Sequence, residues 1–546
     1  MTTPPNRNAD DSGGPRAAPS HSDRQPNEAH EPDSGDARAR PTLPVRLRAP
    51  LVFFVAFAAL VALHLTLLDL PYYWDEAGYF IPAARDIYAD GSFVPHSTLS
   101  NAHPPLVMAY LALAWKVFGF RVAVARVAML AVSALALAGL FRLAERVQNA
   151  RVALAAVVCT AVYPVFFAQS TLAHLDMMVA ALTLWALVFY FPPRGGETSP
   201  SRRAACVALL ALAGLAKETA LLTPLTLCAW ELVCHFARSR ERVAAFVCVE
   251  RRRRNVWRAL SLLLACAPLA AWFAYHRAKT GYTFGNPEYF RYNVESTLNL
   301  SRILEAGWGR LRHVTWHMNL WALTLAGLAA MFLKPRREGA RGAEVERGRI
   351  DPRVQLVFLA LVVAHVVALS VVGGAVLARY MLPVLPLVIL VWVSTIWRRA
   401  PAWPLAVALV CAAFAYRCEV NPSYNFPWEE NLAYRDFVLL HRDAARFLSE
   451  NYPAARVLTS WPATDELRNP YYGYTPRALS VVPVESLKRE DLDAALASGA
   501  QYDAALLYST HGGLGLEEAA RLLGARVVFR EERKGQWVAV AVRSEQ

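Results

Sequence analysis

Residues 104–119, PPLVMAYLALAWKVFG, decide how the rest of this chain is threaded. A helix needs about 20 largely apolar residues to cross the ~30 Å hydrocarbon core of a bilayer. This stretch has 16, opens on Pro104-Pro105 and carries Lys116, so it reads as interfacial or re-entrant rather than spanning. Around it lie apolar runs at 49–70, 121–141, 152–170, 176–191, 204–216, 218–236, 257–276, 314–333, 354–377, 380–397 and 402–416, eleven candidate spans. Continuous runs of this kind imply helices rather than a barrel. Charge then chooses the sides. With the N-terminus inside and 104–119 not spanning, the loops 142–151, 192–203, 238–256, 334–353 and 397–401 are cytoplasmic and hold 22 Lys/Arg. The opposite loops, 71–120, 171–175, 217–218, 277–313 and 377–380, hold 10. Cytoplasmic loops carry the excess of positive charge, which favours this threading. A spanning 104–119 would flip every later loop and put ERRRRN (250–255) outside.

Composition agrees with a polytopic α-helical membrane protein. Of 546 residues 55% are apolar, and the mean hydropathy is +0.25. The net charge of +13 lies mostly in short loops, where it sets topology, so nucleic acid is set aside as a partner. The eight cysteines sit in or beside apolar segments without metal-ligand spacing, and imply no disulfide framework. Residues 1–48, rich in Pro, Arg, Asp and Ser, read as a disordered cytosolic extension rather than a cleavable signal. Residues 419–546 read as a small α/β extracytoplasmic domain. Strand-like runs stand at 456–460, 478–483, 503–508, 526–530 and 537–542, and helix-like stretches at 434–451, 489–498 and 516–523.

This threading gathers a few polar residues at the outer interface, each at the end of an apolar run. Asp75 and Glu76 stand in YYWDEAGYF (72–80), His103 in AHPPL (102–106) and Asp176 in AHLDMM (173–178). Lys217 and Glu218 stand in GLAKET (214–219), Arg379 and Tyr380 in ARYMLPVLP (378–386). Each has a bland reading. The aromatic residues form an interfacial belt, Asp176 complements a helix dipole, Lys217 and Arg379 snorkel, and His103 is a solvated loop residue. The functional reading rests on their shared side. A half-shielded Asp75 suits a general base or metal ligand, Glu218 is a neighbouring partner for Lys217, and a guanidinium at 379 suits phosphate.

In order, DE after the first span, PPL in the first outer loop, LDMM, GLAKET and RYMLPVLP resemble the GT-C glycosyltransferases. The closer resemblance is to glycosyltransferase family 39, the phospholipid carrier-dependent group of protein O-mannosyltransferases and aminoarabinose transferases, over about residues 50–400. It implies a GT-C catalytic domain over 49–418, with 71–120 as its first outer loop, in the inner (plasma) membrane. The implied reaction is transfer, with inversion, of a hexosyl or pentosyl group from a polyprenyl-phosphate sugar to a protein, glycolipid or polysaccharide hydroxyl. Asp75 would match the catalytic base and Asp176 a second acid shaping the cavity. Glu76, His103, Lys217, Arg379 and Tyr380 would bind substrate. Relatives often carry Glu-Lys before PPL; Ala102-His103 stand here, with His103 in the lysine's place. A divalent metal ion is a candidate cofactor, with Asp75, Glu76 and His103 as candidate ligands.

The main rival from another class is a transporter or lipid flippase. Such proteins place ionisable groups near the midplane, on broken helices in repeated halves, whereas here they stand at span ends and no repeat is visible. A structural assembly protein would leave Asp75, Asp176 and Arg379 without a common purpose.

Overall fold

Helix Val45–Leu63 is apolar on every side from Leu51 onward, as a helix surrounded by lipid and protein must be. Two polar ties fix its direction against the 26-residue helix Val122–Val147. Arg48, near the start of the first, pairs with Glu145, near the end of the second, at 2.7 Å. Arg126, near the start of the second, donates to the carbonyls of Leu70 (3.2 Å) and Pro71 (2.9 Å), just past the end of the first. The two helices are antiparallel, so residues 64–121 leave and rejoin the helical bundle at the same end. Within that excursion helix Leu106–Phe118 has 13 residues, about 20 Å at 1.5 Å per residue, which is short of the ~30 Å a crossing requires.

The computed structural model describes residues 45–193, 199–237, 256–339, 345–510 and 512–543. The expected extension at 1–48 lies almost wholly outside the described residues, and the basic run 250–255 wholly so. Among the described residues, four helices are long and apolar enough to cross a membrane: Val122–Val147, Glu218–Phe236, Val256–Thr280 and Pro352–Val371. Shorter apolar helices are Leu47–Leu63, Leu106–Phe118, Ala150–Val162 and Leu175–Tyr190. Prolines shorten two expected runs. The run 152–170 breaks into Ala150–Val162 and Pro164–Gln169, because the residue before Pro164 is driven out of the helical region. The run 380–397 becomes a short turn, Ala378–Met381, and a helix, Leu385–Arg399.

Three of the positively charged loops meet at the end of the bundle away from Asp75. The Gln148 amide donates to Gly348 (2.9 Å) and Ser394 (2.9 Å), and Arg398 donates to the Arg347 carbonyl at 3.0 Å. At the other end stands a five-stranded sheet in the order Ser480–Val484, Arg456–Ser460, Ala504–Tyr508, Gln536–Arg543, Ala525–Arg533. The first three strands are parallel and the last two antiparallel to their neighbours. Each lies within a few residues of an expected strand. The sheet is tied to the first loop: the Tyr472 hydroxyl donates to the Ala77 carbonyl (2.6 Å) and that of Tyr474 to the Tyr72 carbonyl (3.0 Å).

Candidate active site

The turn after the first helix shows one acid to a cavity and hides the other. Trp74 has φ 43°, a left-handed conformation that costs a non-glycine residue about 1–3 kcal/mol. Residues Glu76–Phe80 then form a single π-turn, a device frequent at functional sites. Glu76 is fully buried. It accepts the amides of Tyr73 (2.8 Å) and Ala173 (2.6 Å) and pairs with Arg126 at 2.6 Å. Asp75 points the other way, with its side chain 37% exposed. Gly78 in this turn lets the Trp461 ring approach closely: a Cβ there would lie 3.1 Å from the ring, which would have to give way by a few tenths of an ångström.

Arg379 is the hub on which the distant segments converge. Its side chain is 4% exposed and contacts Asp75 Oδ2 through Nη2, Glu429 Oε1 through Nη1 at 2.8 Å, and Asp176 Oδ2 through Nε at 3.5 Å. Nη1 also faces the edge of the His174 ring, 3.3 Å from Nε2, while Nδ1 lies 2.8 Å from Gln169 Oε1. Burial holds the His174 imidazole well below its usual pKa, with Arg379, Lys217 and Arg126 adding to the effect, so the ring is neutral: Nδ1–H donates to the Gln169 side-chain oxygen and Nε2 is left to accept. Asp176 bridges two cations, since its Oδ1 also takes Lys217 Nζ at 2.7 Å. The Lys217 ammonium sits 3.9 Å above the Tyr380 ring, a cation–π contact.

The pairing of Lys217 with Glu218, expected from adjacency, is not what the structure shows. Lys217 is extended (φ −158°, ψ 138°), and successive side chains of an extended chain point to opposite faces. Lys217 reaches Asp176, and Glu218 accepts from His103 Nδ1 at 3.2 Å. His103 follows Ala102, a second left-handed non-glycine residue (φ 57°), and its Nε2 meets the Tyr289 hydroxyl at 3.3 Å.

Asp75, His103, Asp176, Lys217, Arg379 and Tyr380 all line one cavity of about 1450 Å³, and Glu218 joins them. Glu76 does not: it is enclosed by Arg126 and backbone amides. Asp75, Glu76 and His103 therefore do not converge as a metal-binding set, each being held by a different partner. The cavity has an aromatic wall from 273–292, including Phe273, Phe284 and Tyr289, and a polar wall from the sheet domain. Ser460, Glu485 and Ser509 stand at the carboxyl ends of the three parallel strands, the edge where open α/β sheets bind ligands.

Sequence reasoning missed Glu429, His174 and Trp461. One signal for Glu429 was present: Trp428-Glu429-Glu430 follows the last apolar helix, Trp403–Glu419, as Trp74-Asp75-Glu76 follows the first. Three carboxylates (Asp75, Asp176, Glu429) meet two cations (Arg379, Lys217) here, one negative charge too many. Burial pushes the Glu429 carboxyl up to about 8; Arg379 opposes the shift, while Asp75, Glu430 and Asp176 add to it. Because the folded value lies above the ordinary 4.5, the stability contributed by Glu429 is complete below that value and is lost as pH rises through about 8. Glu429→Gln, which fixes the uncharged form, is expected to flatten the fall in melting temperature between about pH 4.5 and pH 8. An unchanged pH profile in detergent would show that another group carries the excess charge.

Three comparisons bear on this geometry. The family described as dolichyl-phosphate-mannose-protein mannosyltransferase matches residues 102–249. No curated protein matches the chain. Among solved structures, ArnT from Cupriavidus metallidurans bound to undecaprenyl phosphate superposes with a TM-score of 0.51 at 15% identity, covering 92% of this chain and 98% of that one. The Archaeoglobus fulgidus oligosaccharyltransferase, tethered with an acceptor peptide, gives 0.45 at 12% identity over 85% and 69% of the two chains. The resemblance drawn from the five motifs is borne out at the level of fold: this chain is built as the GT-C glycosyltransferase ArnT is built, and its residues 102–249 are similar to the mannosyltransferase family.

Proposed function

We propose that this chain transfers a hexosyl or pentosyl group from a polyprenyl-phosphate carrier to a hydroxyl of a protein, glycolipid or polysaccharide at the outer face of the membrane. The observation that carries the reading is the hub: an exposed acid held on the same guanidinium as a buried lysine pair, on the floor of a cavity with one aromatic and one polar wall. The aromatic wall suits the lipid part of a carrier, and ArnT, which shares the fold, is described bound to undecaprenyl phosphate. The polar wall suits sugar and acceptor.

Exposure supports a division of roles among the acids. Asp176 and Glu429 are each 5% exposed, against 37% for Asp75, so Asp75 is the carboxylate that substrate can reach. Its Oδ1 takes no hydrogen bond from the described residues, and Arg379 holds Oδ2. The acceptor oxygen attacks the anomeric carbon and its proton passes to Asp75. The anomeric C–O bond to phosphate breaks with inversion, and its electron pair leaves on the phosphate, facing Lys217 and Arg379. Such preplaced cations stabilise charge as it develops. Asp176 is a positioning residue that fixes both cations.

The test is a comparison of envelope glycans from cells with and without this gene. Loss of one glycan with accumulation of its polyprenyl-linked sugar is expected; unchanged glycans with a transport defect would sink the reading in favour of a transporter. Trp461, with its ring against Trp74 at 4.7 Å, is a stacking face on the polar wall. Trp461→Ala is expected to raise KM about 10-fold or more, at the ~1–3 kcal/mol that an aromatic binding contact contributes, with a smaller effect on kcat. An unchanged KM would place the sugar elsewhere.

A further inference from the structure

The two Trp-acid-acid turns are alike in all but their cation. In each, the first acid meets Arg379. The second acid is fully buried and accepts a backbone amide from a distant segment, that of Ala173 for Glu76, which also accepts Tyr73, and of Ala378 for Glu430. Glu76 then has Arg126, charged at every accessible pH. Glu430 has instead His317, whose Nε2 lies 2.6 Å from its Oε2, and His313 one helical turn earlier. A buried carboxylate requires a compensating cation. His313 is 7% exposed, and its buried Nδ1 finds no partner among the described residues.

We propose that His313, His317 and Glu430 bind one divalent transition-metal ion, zinc in preference to magnesium or calcium. Their donor atoms lie within 4.8 Å of one another. Two imidazoles and a carboxylate are a zinc ligand set, whereas magnesium and calcium select oxygen. Zinc–ligand distances of about 2.0–2.2 Å place tetrahedral donors roughly 3.3 Å apart, so the cluster must tighten, and the unpartnered His313 ring is the part able to move. The other nitrogen of His317 is already held by the Tyr424 hydroxyl at 3.0 Å, the outer contact that orients a ligating imidazole. The metal touches no substrate. Through Glu430 and the amide of Ala378 it fixes the turn that presents Arg379, so the three ligands are positioning residues.

The full-length chain, purified with a tag free of histidine, is stripped with EDTA, incubated with zinc chloride, desalted and analysed for metal. About one zinc per chain is expected for the parent protein, and a loss of at least ~10-fold in affinity for His313→Gln, the scale of losing a metal contact, with a zinc-dependent rise in melting temperature that His313→Gln abolishes. Cobalt in the parent protein is expected to give tetrahedral absorption bands, a readout that does not depend on any variant folding. Absence of stoichiometric zinc, an octahedral cobalt spectrum, or equal zinc in His313→Gln would each overturn the site. None of these outcomes depends on the sugar transferred.

Discussion

Asp75→Asn is expected to lower the rate of the proposed sugar transfer by about 10²–10⁴-fold, the range that one positioned general base contributes. The replacement keeps the size and planarity of the side chain and removes only its charge and basicity. Because Asp75 is 37% exposed, little burial is lost, and Arg379 keeps Asp176 as a counter-charge with the Glu429 carboxyl still against it. The folded, membrane-inserted protein is therefore expected at near-parent yield, with KM for the donor changed far less than kcat. The measurement is single-turnover transfer from a synthetic polyprenyl-phosphate sugar, with melting temperature as the control. A rate within about 10-fold of the parent would remove Asp75 from the role of base.

The second large effect is on stability. Arg126→Met leaves Glu76 as a lone buried carboxylate and strips the donors from the carbonyls of Leu70, Pro71 and Thr171. Breaking one side of a buried ion pair costs about 3–5 kcal/mol, a large part of the 5–15 kcal/mol that holds a typical domain together. The double variant Glu76→Gln/Arg126→Met is expected to recover part of this loss, because no charge is then left uncompensated. Thermal unfolding in detergent checks both. A loss below about 1 kcal/mol for Arg126→Met would mean that water reaches Glu76.

The legible part of this molecule was that governed by short-range rules. Hydrophobic runs gave the helices, and alternation in 456–542 gave the strands to within a few residues. The positions of Asp75, His103, Asp176, Lys217, Arg379 and Tyr380 at span ends anticipated one shared cavity. What stayed hidden was pairing. Adjacency suggested Lys217 with Glu218, but an extended backbone turns neighbours apart and sends each to a residue far away in sequence. Asp75 and Glu76 stood together as candidate metal ligands, yet Glu76 turns to Arg126 while Asp75 faces the cavity. Glu429 left a local signal in Trp428-Glu429-Glu430, but its meeting with Arg379, 50 residues earlier by number, is recorded in no local pattern.

The carboxyl ends of the three parallel strands overhang the cavity, while the charged floor is built entirely by helix ends and the turns beside them. Under the proposed function, reaction and recognition stand on separate pieces of polypeptide. Loops on the overhang could then be lengthened or exchanged without touching a contact of Arg379, which would change the acceptor and leave the carrier the same.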